Sequence, residues 1–364
     1  MTLVVSVMTD TSAYMISDAI LSVKTGENSA DVECSYPTKS DAPVTGIRTV
    51  AGLSQKIVSI GNGLFVGWAG DYDTARRFIE FLRIALKNCN LSREAILSAQ
   101  KDYFKLHHED EERICTMIAF DTGDAFFLTP QGMIHAMDVP AVGKIYAMGS
   151  GAQEFLDYID SHPPERFASK FGQPLDVDMI QYFISYISNT VNAQTSTGVG
   201  IEKGWGGWFE ILLKKGGTLE KLDSIMYASM YLGSDDGKIQ TSQIGRRYVQ
   251  YYEGERLLIL SQGKGEALRL NVISPPDQKN PSTVQVRACY PQLLCLNFIH
   301  PETKEGKVTL LYNAYGHDYC GVGESIDGKE LAIRLNTRWL AEIISKLEVF
   351  SAASKQPPTV PDAS

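Results

Sequence analysis

Two short apolar runs near the start of the chain limit its fold more than any other stretch. Leu3-Val4-Val5-Ser6-Val7 and Tyr14-Met15-Ile16-Ser17 are joined by the polar turn Asp10-Thr11-Ser12. Runs of this length and β-branched content, separated by Asp, Thr and Ser, predict a hairpin of two buried strands. Met1 and Thr2 precede the first strand, and Asp18 ends the second. Removal of Met1 would leave Thr2 as a free N-terminal threonine at the tip of a core strand. Such a residue carries a nucleophile and its base together, because the hydroxyl attacks and the α-amine takes the proton. The amine suits that task, with an unperturbed pKa of about 7.7–8.0.

At 364 residues the chain is too long for one small domain, and two are expected. A content of 44% hydrophobic and 21% charged residues is that of an ordinary globular protein. The net charge of −9 argues against nucleic acid or an anionic membrane surface as a partner. No uncharged apolar run approaches the ~18 residues of a membrane span. The first lysine is Lys24, and Asp10 and Asp18 interrupt any apolar signal core, so a cytoplasmic location is expected. Cys34, Cys89, Cys115, Cys289, Cys295 and Cys320 are dispersed without a Cys-x-x-Cys, which favours reduced thiols over a disulfide frame or a zinc site.

Residues 20–46 are polar and turn-rich and read as a long surface loop. Lys56-Ile57-Val58-Ser59-Ile60 and Leu64-Phe65-Val66-Gly67-Trp68-Ala69-Gly70 flank Gly61-Asn62-Gly63, a strong hairpin signal. Asp71 reads as the N-cap of a helix carrying Ala75, Phe78, Ile79 and Leu82, and Ser92 as the start of a second helix. That helix ends at His107-His108-Glu109-Asp110. Adjacent histidines do not share a helix face, so this is read as a solvated helix end and no metal site is expected. Strands are expected at 114–120, 125–128, 133–137 and 144–148, and helices after Gly149-Ser150-Gly151 and over 177–191. Further strands are expected at 198–201 and 208–213. Strands and helices in runs, without strict alternation, point to a layered α+β domain. Beyond a break at Ser234-Asp235-Asp236-Gly237, short strands are expected near 247–252, 256–261, 267–273, 283–289, 292–298 and 307–314. A closing helix is expected from Leu331 to Leu347. The division expected is 1–233, a smaller β-rich domain over 234–350, and a disordered tail over 351–364.

Thr2, Asp18, Lys56 and Gly70 can be assembled into one site. A lysine near the amine favours its uncharged form by like-charge repulsion. Asp18 would hold that lysine, and the Gly70 N–H beside a helix start would face a developing oxyanion. Taken singly each has an ordinary reading: a chain end, a strand-end turn, a solvated strand start and a hinge. Ser150 alone reads as a helix N-cap.

The segments Met1–Val7, Ile16-Ser17-Asp18, Lys56–Ile60, Trp68-Ala69-Gly70-Asp71 and Met148-Gly149-Ser150-Gly151 stand in the order seen in proteasome β-type subunits and their bacterial relatives. Over roughly residues 2–230 the chain resembles this branch of the N-terminal-nucleophile hydrolases, and the Thr2-to-Asp18 spacing is similar to the family's. The resemblance implies a four-layer αββα sandwich and a threonine-type hydrolase that cleaves peptide bonds through an acyl-enzyme without a cofactor. It also implies a homo-oligomer acting on peptide or protein substrates, with an unfoldase or other protein as a partner. Thr2 would be the nucleophile, Asp18 and Lys56 its activating pair, Gly70 the oxyanion donor and Ser150 the serine near the amine. Trp68, Tyr72 and Thr197 would line the substrate site, two bulky aromatics suiting small or apolar side chains. Gln194 stands where the family has an aspartate, which removes a charge from the network. The other functions weighed are a catalytically inactive scaffold or binding protein, and a small-molecule amidase using the same Thr2.

Overall fold

The computed structural model describes residues 2–8, 13–24, 48–121, 125–128, 134–140, 142–163, 175–197, 204–215, 217–235, 238–263, 265–281, 291–299, 306–312, 320–324 and 331–335. The chain is mixed α/β, with four α-helices and many antiparallel strands among these residues. It divides into two compact units. The first holds residues 1–223, 250–259 and 270–284, and the second 224–249, 260–269 and 285–364. A single boundary at 233/234 therefore does not describe the chain, because two later segments return to the first unit.

In the first unit, β1 (Val4–Met8) and β2 (Ala13–Asp18) form the expected antiparallel hairpin, with Val4 opposite Ser17 and Val7 opposite Tyr14. β3 (Ile20–Lys24) pairs with β4 (Arg48–Leu53). The expected loop over 20–46 thus begins as a strand, since Ile20, Leu21 and Val23 supply strand-forming side chains. Residues 25–47 lie outside the described residues. β5 (Ile57–Gly61), β6 (Leu64–Gly70), β7 (Ile114–Phe120) and β8 (Ala125–Leu128) form an antiparallel four-stranded sheet in sequence order. β9 (Ile134–Val139), β10 (Gly143–Met148), β11 (Phe209–Lys215) and β12 (Thr218–Lys221) join the first hairpin in a six-stranded sheet ordered β12-β11-β2-β1-β10-β9.

The two sheets meet through one apolar cluster. Val4, Met15, Met148, Leu212 and Leu219 come from the larger sheet, and Ile57, Phe65, Ala69, Met117 and Ala119 from the smaller. A Cβ on Gly67 would sit 2.6 Å from the Met15 sulfur, so glycine permits the close approach there. The helix α1 (Tyr72–Ala85) is capped by Asp71, whose carboxylate accepts the Thr74 N–H at 2.9 Å; α2 (Arg93–Leu106) is capped by Ser92. Phe78, Ile79, Leu82, Ile96 and Tyr103 from these helices pack with Val58, Val66, Trp68 and Ile118 of the smaller sheet. His107 stacks on Tyr103 and His108 pairs with Glu109, which accounts for the histidine pair at the helix end. On the larger sheet, α3 (Ala152–Ser161) and α4 (Leu175–Thr197) bring Phe155, Phe183 and Tyr186 against Tyr14 of β2 and Phe209 of β11. α4 is longer than the expected 177–191 helix and carries Gln194 and Thr197 in its last turn.

In the second unit, β13 (Ile225–Asp235) pairs in parallel with β17 (Leu293–Ile299), which pairs antiparallel with β18 (Gly306–Tyr312). β14 (Lys238–Glu253) and β15 (Arg256–Gln262) run through both units, and β16 (Arg269–Ile273) follows. β13 and β14 are long where the sequence reading had a break and one short strand. β19 (Cys320–Glu324) pairs antiparallel with β20 (Leu331–Leu335). The closing helix is therefore corrected at its start: Leu331, Ile333 and Leu335 also satisfy a period of two, and a partner strand takes their backbone. Residues 336–350, the tail 351–364 and the strands expected at 198–201 and 283–289 lie outside the described residues.

Candidate active site

The β1–β2 register brings Thr2 and Asp18 to the same end of the larger sheet. The Asp18 N–H donates to Leu3 O at 2.9 Å, and the Leu3 N–H donates back to Asp18 Oδ1 at 2.9 Å. Asp18 Oδ2 accepts the Gly206 N–H at 2.8 Å. Lys56, directly before β5, is held by its backbone on both sides. Its N–H donates to Glu210 Oε2 at 3.1 Å, and its carbonyl accepts the Trp68 N–H at 2.9 Å. Its side chain is buried and points at Thr2.

Lys56 Nζ donates to Thr2 Oγ1 and, at 2.9 Å, to the Ile20 carbonyl; Asp18 Oδ1 lies 3.5 Å away. Three acceptors around one ammonium satisfy its three protons. The Trp68 ring covers it from 5.0 Å, and the Trp68 indole is pinned by donation to Gln55 O at 3.0 Å. Burial lowers the Lys56 pKa, with Asp18 and then Glu210 pulling it back up. Burial raises the Asp18 pKa, opposed by Lys56 and by the Leu3 and Gly206 N–H groups.

On the other side of Thr2, Ser150 Oγ accepts the Thr2 N–H at 3.2 Å, and the Gly151 N–H donates to Thr2 O at 3.2 Å. Gly149 makes this approach possible. Its φ is +94°, and a Cβ there would lie 2.0 Å from Thr2 O. Cleavage of the bond before Thr2 would place a primary amine at the nitrogen that Ser150 already engages.

The other expected residues divide. Trp68 pairs with Lys56 across β5 and β6, and Gly70 lies two residues further along β6, so Gly70 sits at the Lys56 end of its sheet. Gly70 is exposed and has φ +121°. Trp68 is fully buried beside Lys56, so its contact is with the lysine. Tyr72 is half-buried, donates to Pro276 O at 3.2 Å and lies 6.2 Å from Trp68, ring to ring. Thr197 ends α4, and its side chain lies outside the described residues. Gln194 Oε1 accepts the Gly207 N–H at 3.2 Å, so this amide supports the turn whose Gly206 N–H reaches Asp18.

Two contributors escaped the sequence reading. Gly206 offers its N–H from a Gly204-Trp205-Gly206-Gly207 stretch, whose glycine density was the available signal. Glu210 stands alone as an acid in the apolar run Trp208–Leu213, and an isolated charge in a core strand is also a signal. No protein-family model matches the chain, and no curated protein matches it.

Proposed function

We propose that this chain is a threonine-type N-terminal-nucleophile hydrolase acting on amide bonds. The observation that carries the reading is the buried Lys56 ammonium donating to the Thr2 hydroxyl with Asp18 behind it. The sheet-on-sheet core, with α1 and α2 on one side and α3 and α4 on the other, supports the four-layer αββα architecture of the proteasome β-type branch. The proposal assigns Thr2 Oγ as the nucleophile once the bond before Thr2 is cleaved. The freed amine takes the hydroxyl proton as Oγ bonds to the amide carbon, and the Gly70 N–H faces the oxyanion. Collapse breaks the C–N bond, and the departing amine carries off the proton. Water, deprotonated by the same amine, then hydrolyses the ester on Thr2. A homo-oligomer, a peptide or protein substrate and an unfoldase partner accompany this reading.

An epoxyketone or β-lactone probe and a panel of fluorogenic peptides test it, together with N-terminal sequencing. Labelling of Thr2, and its loss in a folded Thr2→Ala variant, is the expected result. A protein that keeps Met1, or a Thr2→Ala variant that still cleaves, overturns it. A second reading, an inactive scaffold, is favoured by one feature: Gln194 is uncharged and spends its oxygen on Gly207.

A further inference from the structure

Glu210 is completely buried on β11, yet none of its partners is the Thr2 hydroxyl, the Ser150 side chain or the Asp18 carboxylate. Its Oε2 accepts the Lys56 N–H, while its Oε1 accepts from Lys221 Nζ at 2.6 Å and from Tyr252 Oη at 2.9 Å. Lys221 also donates to Gln55 Oε1 at 2.5 Å, and Gln55 precedes Lys56. A carboxylate this deep is costly unless every lone pair it turns inward is engaged. Lys221 meets that cost without being sealed in: it lines an open cavity of about 350 Å³ together with Gln55, Ser59, Phe65 and Tyr252. Glu210 therefore joins a strand of the larger sheet to the residue that opens the smaller one, at the level of the candidate site.

We propose that Glu210 is the positioning residue for Lys56, its carboxylate holding the lysine's backbone so that Nζ meets Thr2 Oγ1. The placement of Nζ is observed, and its use in catalysis rests on the hydrolase reading above. A lysine side chain has four rotatable bonds, so its tip goes where its root is held. The root is held by the Trp68 N–H on the carbonyl side and by Glu210 on the amide side.

Glu210 also adds negative charge near Lys56. The groups facing Nζ are Asp18 from β2, the Ile20 carbonyl, the Trp68 ring from β6 and Thr2, with Lys221 from β12 behind Glu210. Replacing Glu210 by glutamine keeps the shape and an acceptor for the Lys56 N–H but removes the charge, so Lys56 gives up its proton more readily.

The test is an NMR titration of ¹³C-labelled lysine side chains in the full chain, which needs no turnover. Its variants are Glu210→Gln, Lys221→Met and the neutral double variant. The Lys56 midpoint should fall in Glu210→Gln and fall less in the double variant, where a cation leaves as well. In Lys221→Met it should rise. If the protein cleaves peptides, the alkaline limb of the pH–rate profile should move down in step with that midpoint. An unchanged Lys56 midpoint in a folded Glu210→Gln or double variant overturns the proposal. Should neither single variant fold, the double variant alone decides. A wild-type protein that never cleaves, but whose Lys56 midpoint falls as stated, removes the hydrolase reading and leaves this one standing.

Discussion

At the scale of single residues, the chemistry rests on the protonation of two nitrogens close to one hydroxyl. A Thr2 amine must be neutral to accept a proton, and the charged Lys56 beside it favours that neutral form. Lys56 must keep its own proton to hold the Thr2 oxygen, and burial makes that proton easier to lose than in an ordinary lysine. The rate should therefore rise with pH as the amine deprotonates and fall again as Lys56 does. The alkaline limb should lie below the ordinary lysine value of about 10.4. A kcat/KM profile against pH checks this, and a plateau extending past that value would contradict it. Gly149→Ala addresses the same oxygen through sterics. A methyl group there collides with Thr2 O, and the positive φ adds strain of about 1–3 kcal/mol. The variant should lose at least that much stability in denaturant unfolding and lose Thr2 labelling disproportionately. Wild-type stability would show that the Thr2 carbonyl moves aside at little cost.

At the scale of elements, α1 and α2 are tied together by a carboxylate outside the candidate site. Asp110 is buried just after α2 and accepts from Tyr103 Oη at 2.7 Å, Arg77 Nη2 at 2.8 Å and Thr74 Oγ1 at 3.1 Å. Burial alone would raise its pKa, but these donors outweigh it and hold the carboxyl below its ordinary value. A depressed carboxyl contributes fully above its unfolded pKa of about 3.9, and that contribution drains away as pH falls through the folded value. Asp110→Asn should thus cost about 2 kcal/mol near neutrality. The gap to wild type should close below about pH 4, as followed by urea unfolding at each pH. A gap that stays constant into acid would mean that the charge on Asp110 contributes nothing. These helices were legible because Asp71, Ser92 and the spacing of Phe78, Ile79 and Leu82 are local signals. β3 and β13 were not legible, because their pairing depends on distant partners such as Val50 and Cys295. The 331–335 segment fits both periods, and only Cys320–Glu324 across from it decides. In the candidate site, Thr2, Asp18 and Lys56 were readable as a set. Gly206 and Glu210 were not, because their contributions are a turn's backbone N–H and a contact more than 150 positions away in sequence.

At the scale of the whole molecule, the first unit is not closed by its own first 223 residues. Two segments from much later in the chain complete it. Trp208 Nε1 donates to Gln250 Oε1 at 2.9 Å, and the Gln55 N–H donates to Ser274 O at 3.1 Å. Gln55 Nε2 donates to both Glu255 O and Ile273 O, at 2.6 and 2.7 Å. On α1, Arg83 donates through both Nη atoms to Glu255. Every one of these donors is left without that partner if the chain stops at 233, the boundary the sequence reading favoured. Several belong to fully buried residues, where an unmet donor costs about 1–3 kcal/mol. Losing several at once approaches the whole margin of about 5–15 kcal/mol by which a domain is stable. Gln55 precedes Lys56, and Tyr252 serves Glu210, so the loss falls on the candidate site first. A fragment of residues 1–233 should therefore fail to give a cooperative unfolding transition, while a chain running through residue 284 keeps the partners just named. Hydrogen exchange of the Gln55 and Lys56 amides in both lengths decides the matter. Equal protection of these amides in the shorter fragment would mean that the returning segments decorate the unit and do not complete it.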